Sequence, residues 1–245
     1  MARGKRKSVT KEIKAPVSLG QREEFICSFC NKIFSKERTV LHHLCEQRRR
    51  YEQRNEKFSL LGFEAFKTIN LKCNTKTQMT EEEFRHSVFY LACVKWGHFM
   101  MDQRCFEPSQ YLKWLITLKV NIDSWTDLDV YNSWLYTYIF EENPWDGLER
   151  SMKTIIEWGE NNHLSYSDYF KKAPSDFIIS DIRHGMITGW LLLTSESGLS
   201  WLSSLGDKEI EVIWPWIDSS RWEFKFNKNF EIYKQISELS KENDI

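Results

Sequence analysis

The chain has 245 residues, with 34 Lys and Arg against 35 Asp and Glu. This length is enough for one or two domains with a sizeable core, and 41% hydrophobic with 28% charged residues excludes a disordered polymer or a fibre. No apolar run approaches the roughly 18 residues of a membrane span, and the first residues lack the apolar stretch of a secretory signal. We therefore expect no membrane partner and a reducing, cytosolic setting, where cysteines more often bind metal or pack as small hydrophobic residues than form disulfides.

The near-neutral total charge is unevenly distributed along the chain. Residues 1–57 contain 15 Lys and Arg against 7 Asp and Glu, whereas the remaining residues contain 19 against 28. All 11 Trp residues lie at or after Trp96. The pattern predicts a flexible basic arm over residues 1–24, a Cys/His module with a basic helix over residues 25–57, and an acidic, all-α body over residues 58–245.

A cluster of potential metal ligands follows the arm, in the segment FICSFCNKIFSKERTVLHHLC. Cys27 and Cys30 have the spacing that lets a tight turn aim two thiolates at one ion. If a helix begins near Ser35, His42 and Cys45 stand at i and i+3 on one face of it. The predicted ligands of a tetrahedral, structural Zn²⁺ site are Cys27, Cys30, His42 and Cys45. The competing imidazole is His43, which lies only two residues before Cys45.

This segment resembles a C2H2-type zinc finger. The resemblance implies that Phe34 and Val40 form the small core of the finger and that His43 aligns with the first histidine. The positions where the second histidine would follow hold Gln47, Arg48 and Arg49, none of which is a zinc ligand. That departure favours the ligand set with His42 and Cys45.

Basic residues on both sides of the cluster suggest a contact with nucleic acid. The candidate phosphate-binding residues are Lys5, Arg6, Lys7, Arg48, Arg49 and Arg50. However, a single finger covers only about 3 base pairs, and the acidic body would repel a polyanion. We therefore interpret the module first as a protein-docking element and keep DNA or RNA binding as the alternative.

Helical patterns dominate the body. Thr80 and Glu83 form a capping-box sequence, which predicts that a helix begins there. The apolar residues that follow at helical spacing are Phe84, Val88, Leu91 and Trp96. Later helices are expected to begin at Pro108, to cover residues 124–141, to restart after Asn143, and to cover 207–214 and 230–239. The predicted fold class is mainly α: a small N-terminal zinc finger plus an all-α, aromatic-rich helical domain.

Neither catalysis nor a cofactor other than zinc is indicated. The chain lacks the glycine-rich phosphate-binding motifs, and adjacent Glu141 and Glu142 would point about 100° apart on a helix, which makes a poor acid–base pair. No catalytic residue is predicted, and we expect a non-enzymatic protein. Tryptophan is enriched in protein interfaces, and Trp216 and Trp222, beside the break at Pro215, are the candidates for exposure.

Three segments carry a resemblance to a phage family: HHLCEQRRR, FYLACVKWGHFM, and SGLSWLSSL with IWPWID. Together they resemble the baseplate hub assembly proteins (assembly catalysts) of large contractile-tailed bacteriophages, from about Phe25 to Trp222. The resemblance implies a late, non-enzymatic helper in the host cytoplasm, whose partners are viral tail and baseplate hub proteins. The alternative is a phage zinc-finger protein that binds nucleic acid and regulates viral expression or DNA metabolism.

Overall fold

The structure is a computed structural model that describes residues 24–72 and 78–243. It confirms the predicted, mainly α fold, because within those ranges the only strands are the short β1 (Phe25–Ile26) and β2 (Ile33–Phe34). The helices are α1 (Glu37–Leu41), α2 (Glu46–Glu52), α3 (Lys57–Lys72), α4 (Glu81–His86), α5 (Tyr90–Asp102), α6 (Pro108–Thr117), α7 (Leu128–Glu141), α8 (Pro144–Asn162), α9 (Tyr169–Lys172), α10 (Ser175–Arg183), α11 (Gly189–Leu192), α12 (Glu196–Ser204), α13 (Asp207–Ile217), α14 (Ser219–Lys228) and α15 (Phe230–Glu242). No helix in the described ranges has both the length and the apolar character that crossing a bilayer requires.

Residues 24–45, which we call the N-terminal module, contain β1, β2 and α1. The two strands pair antiparallel, with Phe25 opposite Phe34 and Ile26 opposite Ile33. Lys36 occupies the N-cap position of α1 and makes no side-chain cap hydrogen bond. The Arg-rich helix predicted after the Cys/His cluster is confirmed as α2.

Helices α3 and α5 of the body pack at very short range because glycines face the neighbouring backbone. A Cβ atom added to Gly62 on α3 would lie 3.0 Å from the carbonyl oxygen of Cys93. A Cβ atom added to Gly97 on α5 would overlap the carbonyl oxygen of Phe58. The ring of Phe58 also stacks on His98, with centroids 3.8 Å apart. This close contact holds α3 and α5 together.

Two hydrophobic clusters form the interior of the body. The first joins the helices from α3 to α7 with the C-terminal helices, and Trp96, Trp134 and Trp222 are among its buried members. The second lies among α8 to α13. Leu148 and Trp216 pack against both clusters, so the apolar interior is continuous from one to the other.

The helix predicted from the capping box is interrupted. Both hydrogen bonds of the box are present, from Thr80 N–H to the Glu83 carboxylate at 2.8 Å and from Glu83 N–H to the Thr80 hydroxyl at 3.2 Å. The helix ends at His86, however, and Val88 in the link to α5 is 90% exposed. Leu91 is exposed as well. The apolar residues at helical spacing therefore do not form one face of a single helix.

Local polar side chains also shift later boundaries. Helix α7 begins at Leu128 rather than at residue 124, because the Asp127 side chain accepts a hydrogen bond from the N–H of Asp129 and caps the helix there. Pro108 and Asn143 act as predicted: Pro108 is the first residue of α6, and Asn143 caps α8.

The exposure predicted for tryptophan near Pro215 is wrong for Trp222. Residues 219–228 form α14, and this helix turns Trp222 into the first cluster, where it packs against Gly189 and the ring of Trp190. Trp216 is only partly exposed and packs against both clusters. The tryptophan that faces solvent on α13 is Trp214, at 48% exposure.

A buried charged group closes the C-terminal end of α7. The Glu142 side chain is 3% exposed and accepts two hydrogen bonds of 2.8 Å from the guanidinium of Arg150. The Nε of Arg150 donates to the carbonyl of Gly185 at 2.7 Å. Lys225 Nζ donates to the carbonyl of Ile139 and to that of the next residue, each at 2.8 Å. These contacts tie α7, α8 and α14 together.

Candidate metal centre

Four side chains of the N-terminal module converge on one point. The ligand atoms of Cys27, Cys30, His43 and Cys45 all lie within 4.8 Å of one another. The Sγ atoms of Cys27 and Cys45 are 4.0 Å apart, and Cys30 Sγ is 3.3 Å from Nε2 of His43. A tetrahedral ion with metal–sulfur bonds of about 2.3 Å has sulfur–sulfur edges of about 3.8 Å and sulfur–nitrogen edges of about 3.6 Å. The Cys3His group can therefore hold a metal ion, and its dimensions are compatible with zinc.

The first two ligands come from a tight turn between the strands. Cys27 follows β1, and its backbone N–H donates to the carbonyl of Lys32 at 3.0 Å. Asn31 N–H donates to the carbonyl of Cys27 at 2.9 Å, and Asn31 has a positive φ of 57°, a conformation that asparagine tolerates better than most residues. The turn thereby brings the Cys27 and Cys30 thiols to the same side.

The imidazole in the cluster is that of His43, not His42. The prediction of His42 assumed one helix that carries both His42 and Cys45, but α1 ends at Leu41 and His42 is its C-cap. Cys45 instead is the N-cap of the next helix, α2. The ring of His43 packs beside Phe34, with centroids 4.7 Å apart. The alignment implied by the C2H2 resemblance, which placed His43 as the first histidine, agrees with this arrangement.

Cys45 is both a member of the cluster and the N-cap of α2. Its Sγ accepts a hydrogen bond from the backbone N–H of Arg48 at 3.4 Å. The Arg48 guanidinium then donates to the carbonyls of Leu41 and His43, at 3.0 and 3.2 Å. The chain around the third and fourth ligands is thus held by the helix that follows it.

The thiols of the cluster influence each other's ionisation. Burial opposes ionisation of Cys27, but backbone N–H groups of Phe29 and Cys30 and the neighbouring sulfurs outweigh it, and the pKa of Cys27 is lowered. For Cys30, the backbone N–H of Lys32 favours the thiolate, yet burial and the adjacent cysteines together raise the pKa. The surroundings thus favour the thiolate of Cys27 and oppose that of Cys30, and a bound cation would favour both thiolates.

The remaining described cysteines lie in the body and have a different environment. Burial raises the pKa of Cys93 to about 12 and that of Cys105 to about 11. Both thiols are therefore protonated and unreactive at neutral pH, as expected of cysteines that pack as small hydrophobic residues. Cys73 lies outside the described residues.

The arginines predicted to contact phosphates are largely engaged within the protein. Arg48 pairs with Glu52 in addition to its two carbonyl contacts, and Arg49 pairs with Glu46. Arg50 is 13% exposed and also pairs with Glu46, whereas Arg49 is 60% exposed. Arg49 is thus the most accessible of the three. The predicted contacts Lys5, Arg6 and Lys7, like the rest of the basic arm before Glu24, lie outside the described residues.

An open groove of about 1000 Å³ lies in the body, and none of the four Cys/His ligands lines it. Residues of both hydrophobic clusters line this groove. The buried carboxylate at its wall is Asp181, which accepts a hydrogen bond from the Tyr169 hydroxyl at 2.7 Å and pairs with Arg104 at 3.3 Å. Burial raises the pKa of Asp181, although these two partners act in the opposite direction. The carboxylate therefore already has a structural role, which joins α9 and α10 to the end of α5.

Comparison of the chain with models of protein families, with curated proteins and with solved structures found no match.

Proposed function

We propose that the N-terminal module binds one Zn²⁺ through Cys27, Cys30, His43 and Cys45 and that the ion has a structural role. The observation that carries the proposal is the convergence of the four ligand atoms within 4.8 Å. A module with two-residue strands and a five-residue helix buries little apolar surface of its own. Small modules of this kind draw their folding free energy from the metal.

Adjacent histidines provide a matched pair of variants to test zinc binding. We expect His42→Ala to retain one zinc per chain after dialysis against a weak chelator and His43→Ala to lose it, as measured by elemental analysis. Equal zinc retention by the two variants would contradict the assignment of His43. Absence of zinc from the wild-type protein, purified under reducing conditions and supplied with the metal, would contradict the proposal as a whole.

We further propose that the module docks onto protein rather than nucleic acid. It exposes four aliphatic side chains, and Ile26 and Ile33 are direct cross-strand partners. The four are Ile26, Ile33, Leu41 and Leu44. Apolar side chains of this kind suit a protein surface better than a phosphate backbone, and the internal engagement of Arg48 and Arg50 weighs in the same direction.

The wider role that we propose is that of a non-enzymatic assembly factor. The resemblance to baseplate hub assembly proteins suggests hub and tail proteins of a contractile phage tail as the clients, and zinc-dependent docking is a mechanism suited to that role. Purified hub proteins should be retained by the immobilised full-length chain and lost when Ile26 and Ile33 are both changed to Ser. Leu118→Ser is the matched control, because Leu118 is 58% exposed, close to the 59% of Ile26, but follows α6.

Measuring DNA and RNA binding at increasing salt concentrations distinguishes the alternative, nucleic-acid binding, from protein docking. Tight binding whose affinity falls steeply with added salt, together with unchanged hub capture by the double Ser variant, would favour a nucleic-acid-binding protein. We expect weak binding at low salt that disappears near physiological ionic strength.

A further inference from the structure

Helix α2 is too short to be stable without support from its surroundings. It has seven residues, none of them buried, whereas isolated helices shorter than roughly 12–15 residues are marginal in water. It lies between the N-terminal module and the body and makes specific contacts with both. Its conformation therefore depends on the integrity of its neighbours.

The contacts on the module side involve the metal cluster directly. Cys45 caps the first turn of α2, and the side chain of Arg48 binds the carbonyls of Leu41 and His43. Phe29, in the turn between the first two cysteines, packs on Tyr51 with ring centroids 5.3 Å apart. Each of these contacts needs the module to be folded around its ligands.

On the body side, α2 contacts the end of α4 and the start of α5. Arg50 Nη1 donates to the backbone carbonyl of Arg85 at 2.5 Å, and its guanidinium lies 4.3 Å from the ring centroid of Tyr90. The guanidinium of Arg85 lies 5.2 Å from the ring centroid of Tyr51. Two routes therefore join the cluster to the end of α4 and the start of α5, one through Cys45 and Arg50 and the other through Phe29 and Tyr51.

We propose that α2 couples metal occupancy of the N-terminal module to the order of α4 and the start of α5. This inference rests on the proposed zinc binding. Without the ion, the Cys45 cap and the Phe29 contact lose their fixed positions, and α2 no longer holds Arg50 against the Arg85 carbonyl. Metal release then loosens a defined part of the body instead of remaining confined to the module.

Hydrogen exchange of the full-length chain, measured by mass spectrometry with and without zinc, tests the coupling. In the wild-type protein, zinc should slow exchange in peptides that cover residues 81–92 by about tenfold, which corresponds to about 1.4 kcal/mol and lies near the lower end for hydrogen bonds to charged groups. In Arg50→Gln the same ratio should fall below about twofold, while zinc content stays at one per chain. Arg49→Gln is the control, since Arg49 pairs only with Glu46 among the contacts described, and it should retain the wild-type ratio.

A second variant keeps the test decisive if Arg50→Gln folds poorly. Tyr51→Leu removes the ring between Phe29 and Arg85 and leaves Arg50 in place, so it should reduce the zinc-dependent ratio partially. If the wild-type chain binds zinc and residues 81–92 exchange at the same rate with and without it, the coupling is wrong although the metal site stands. If Arg49→Gln and Arg50→Gln lose the effect equally, the route through Arg50 is wrong. If no zinc binds, both proposals fall together.

Discussion

Replacing Arg150 by Met isolates a buried carboxylate in the middle of the body. Arg150 provides both hydrogen bonds that Glu142 receives from a side chain, and it also binds the Gly185 carbonyl. Methionine fills similar space but offers no donor. Burial is the largest influence that raises the pKa of Glu142, and Arg150 is the largest that lowers it. In the variant, burial therefore still opposes ionisation of Glu142, and its main opposing partner is gone.

The expected loss of stability follows from the charge that is left behind. Breaking a buried ion pair by removing one partner costs about 3–5 kcal/mol. Lys225 partially offsets the loss, since its positive charge also favours ionised Glu142. We therefore expect a decrease in the free energy of unfolding of about 3 kcal/mol, a large share of the roughly 5–15 kcal/mol that holds a typical domain together.

Urea unfolding followed by tryptophan fluorescence measures this loss, since every Trp lies in the body. The double variant Glu142→Gln with Arg150→Met should lose less free energy of unfolding than the two single variants lose together. The reason is that the Gln amide is neutral, so no buried charge is left without a partner. Arg183→Met is the control, since Arg183 is exposed on α10, and should change stability by no more than about 0.5 kcal/mol. A loss below about 1 kcal/mol for Arg150→Met, or strict additivity in the double variant, would refute the reasoning.

Three further changes are predicted from the packing and ionisation of the body. Gly97→Ala should destabilise by about 1–3 kcal/mol or more, because the new methyl group meets backbone. Gly206→Ala should cost less than about 1 kcal/mol in the same urea assay, because its methyl group meets only the flexible Glu209 carboxylate, at 3.6 Å, and the change is confined to the N-cap of α13. Lys225→Met should lower the free energy of unfolding by about 1–3 kcal/mol, because two carbonyls of α7 lose their donor. The folded pKa of Cys93 is raised to about 12, so its contribution to stability is present below pH 9 and is lost between about pH 9 and 12, where only the unfolded chain releases the proton. In that range this thiol should lower the free energy of unfolding by about 1.4 kcal/mol per pH unit. In Cys93→Ala the decrease of the free energy of unfolding with pH should be smaller by that amount. The same decrease in both proteins would contradict the raised pKa.

The helical character of the body was predictable because it depends on short-range patterns. Pro108, Asn143 and the pair Thr80 with Glu83 act through neighbours within a few residues, and each ends or begins a helix as expected. The break before α5 was not predictable from apolar spacing, since Val88 continues the helical period but points to solvent. At the break, the Ser87 hydroxyl accepts a hydrogen bond from the Phe89 N–H at 3.0 Å, and the rings of Phe84 and Tyr90 pack together across it. Apolar spacing carries no sign of either contact.

The composition of the metal cluster was predictable in its three cysteines and not in its histidine. Spacing alone favours His42, because i and i+3 residues share a helix face. The deciding fact is the end of α1 at Leu41, which releases the chain so that His43 turns toward the sulfurs. The aromatic partner Phe34 was the available signal for His43, since a ring that packs beside an imidazole orients it.

The double duty of Cys45 restricts which ligand can stand at this position. Structural zinc sites use cysteine and histidine in several combinations, but a thiolate that binds a metal ion keeps further lone pairs and could still accept the hydrogen bond from the Arg48 N–H. A coordinating imidazole nitrogen has a single lone pair, which it donates to the ion, so it cannot also accept the hydrogen bond from Arg48. A histidine at position 45 could supply a fourth ligand, yet α2 would lose the hydrogen bond that caps its first turn. The same exchange of ligands would therefore weaken one of the two connections between the N-terminal module and the body, and only the one through Phe29 and Tyr51 would be unaffected.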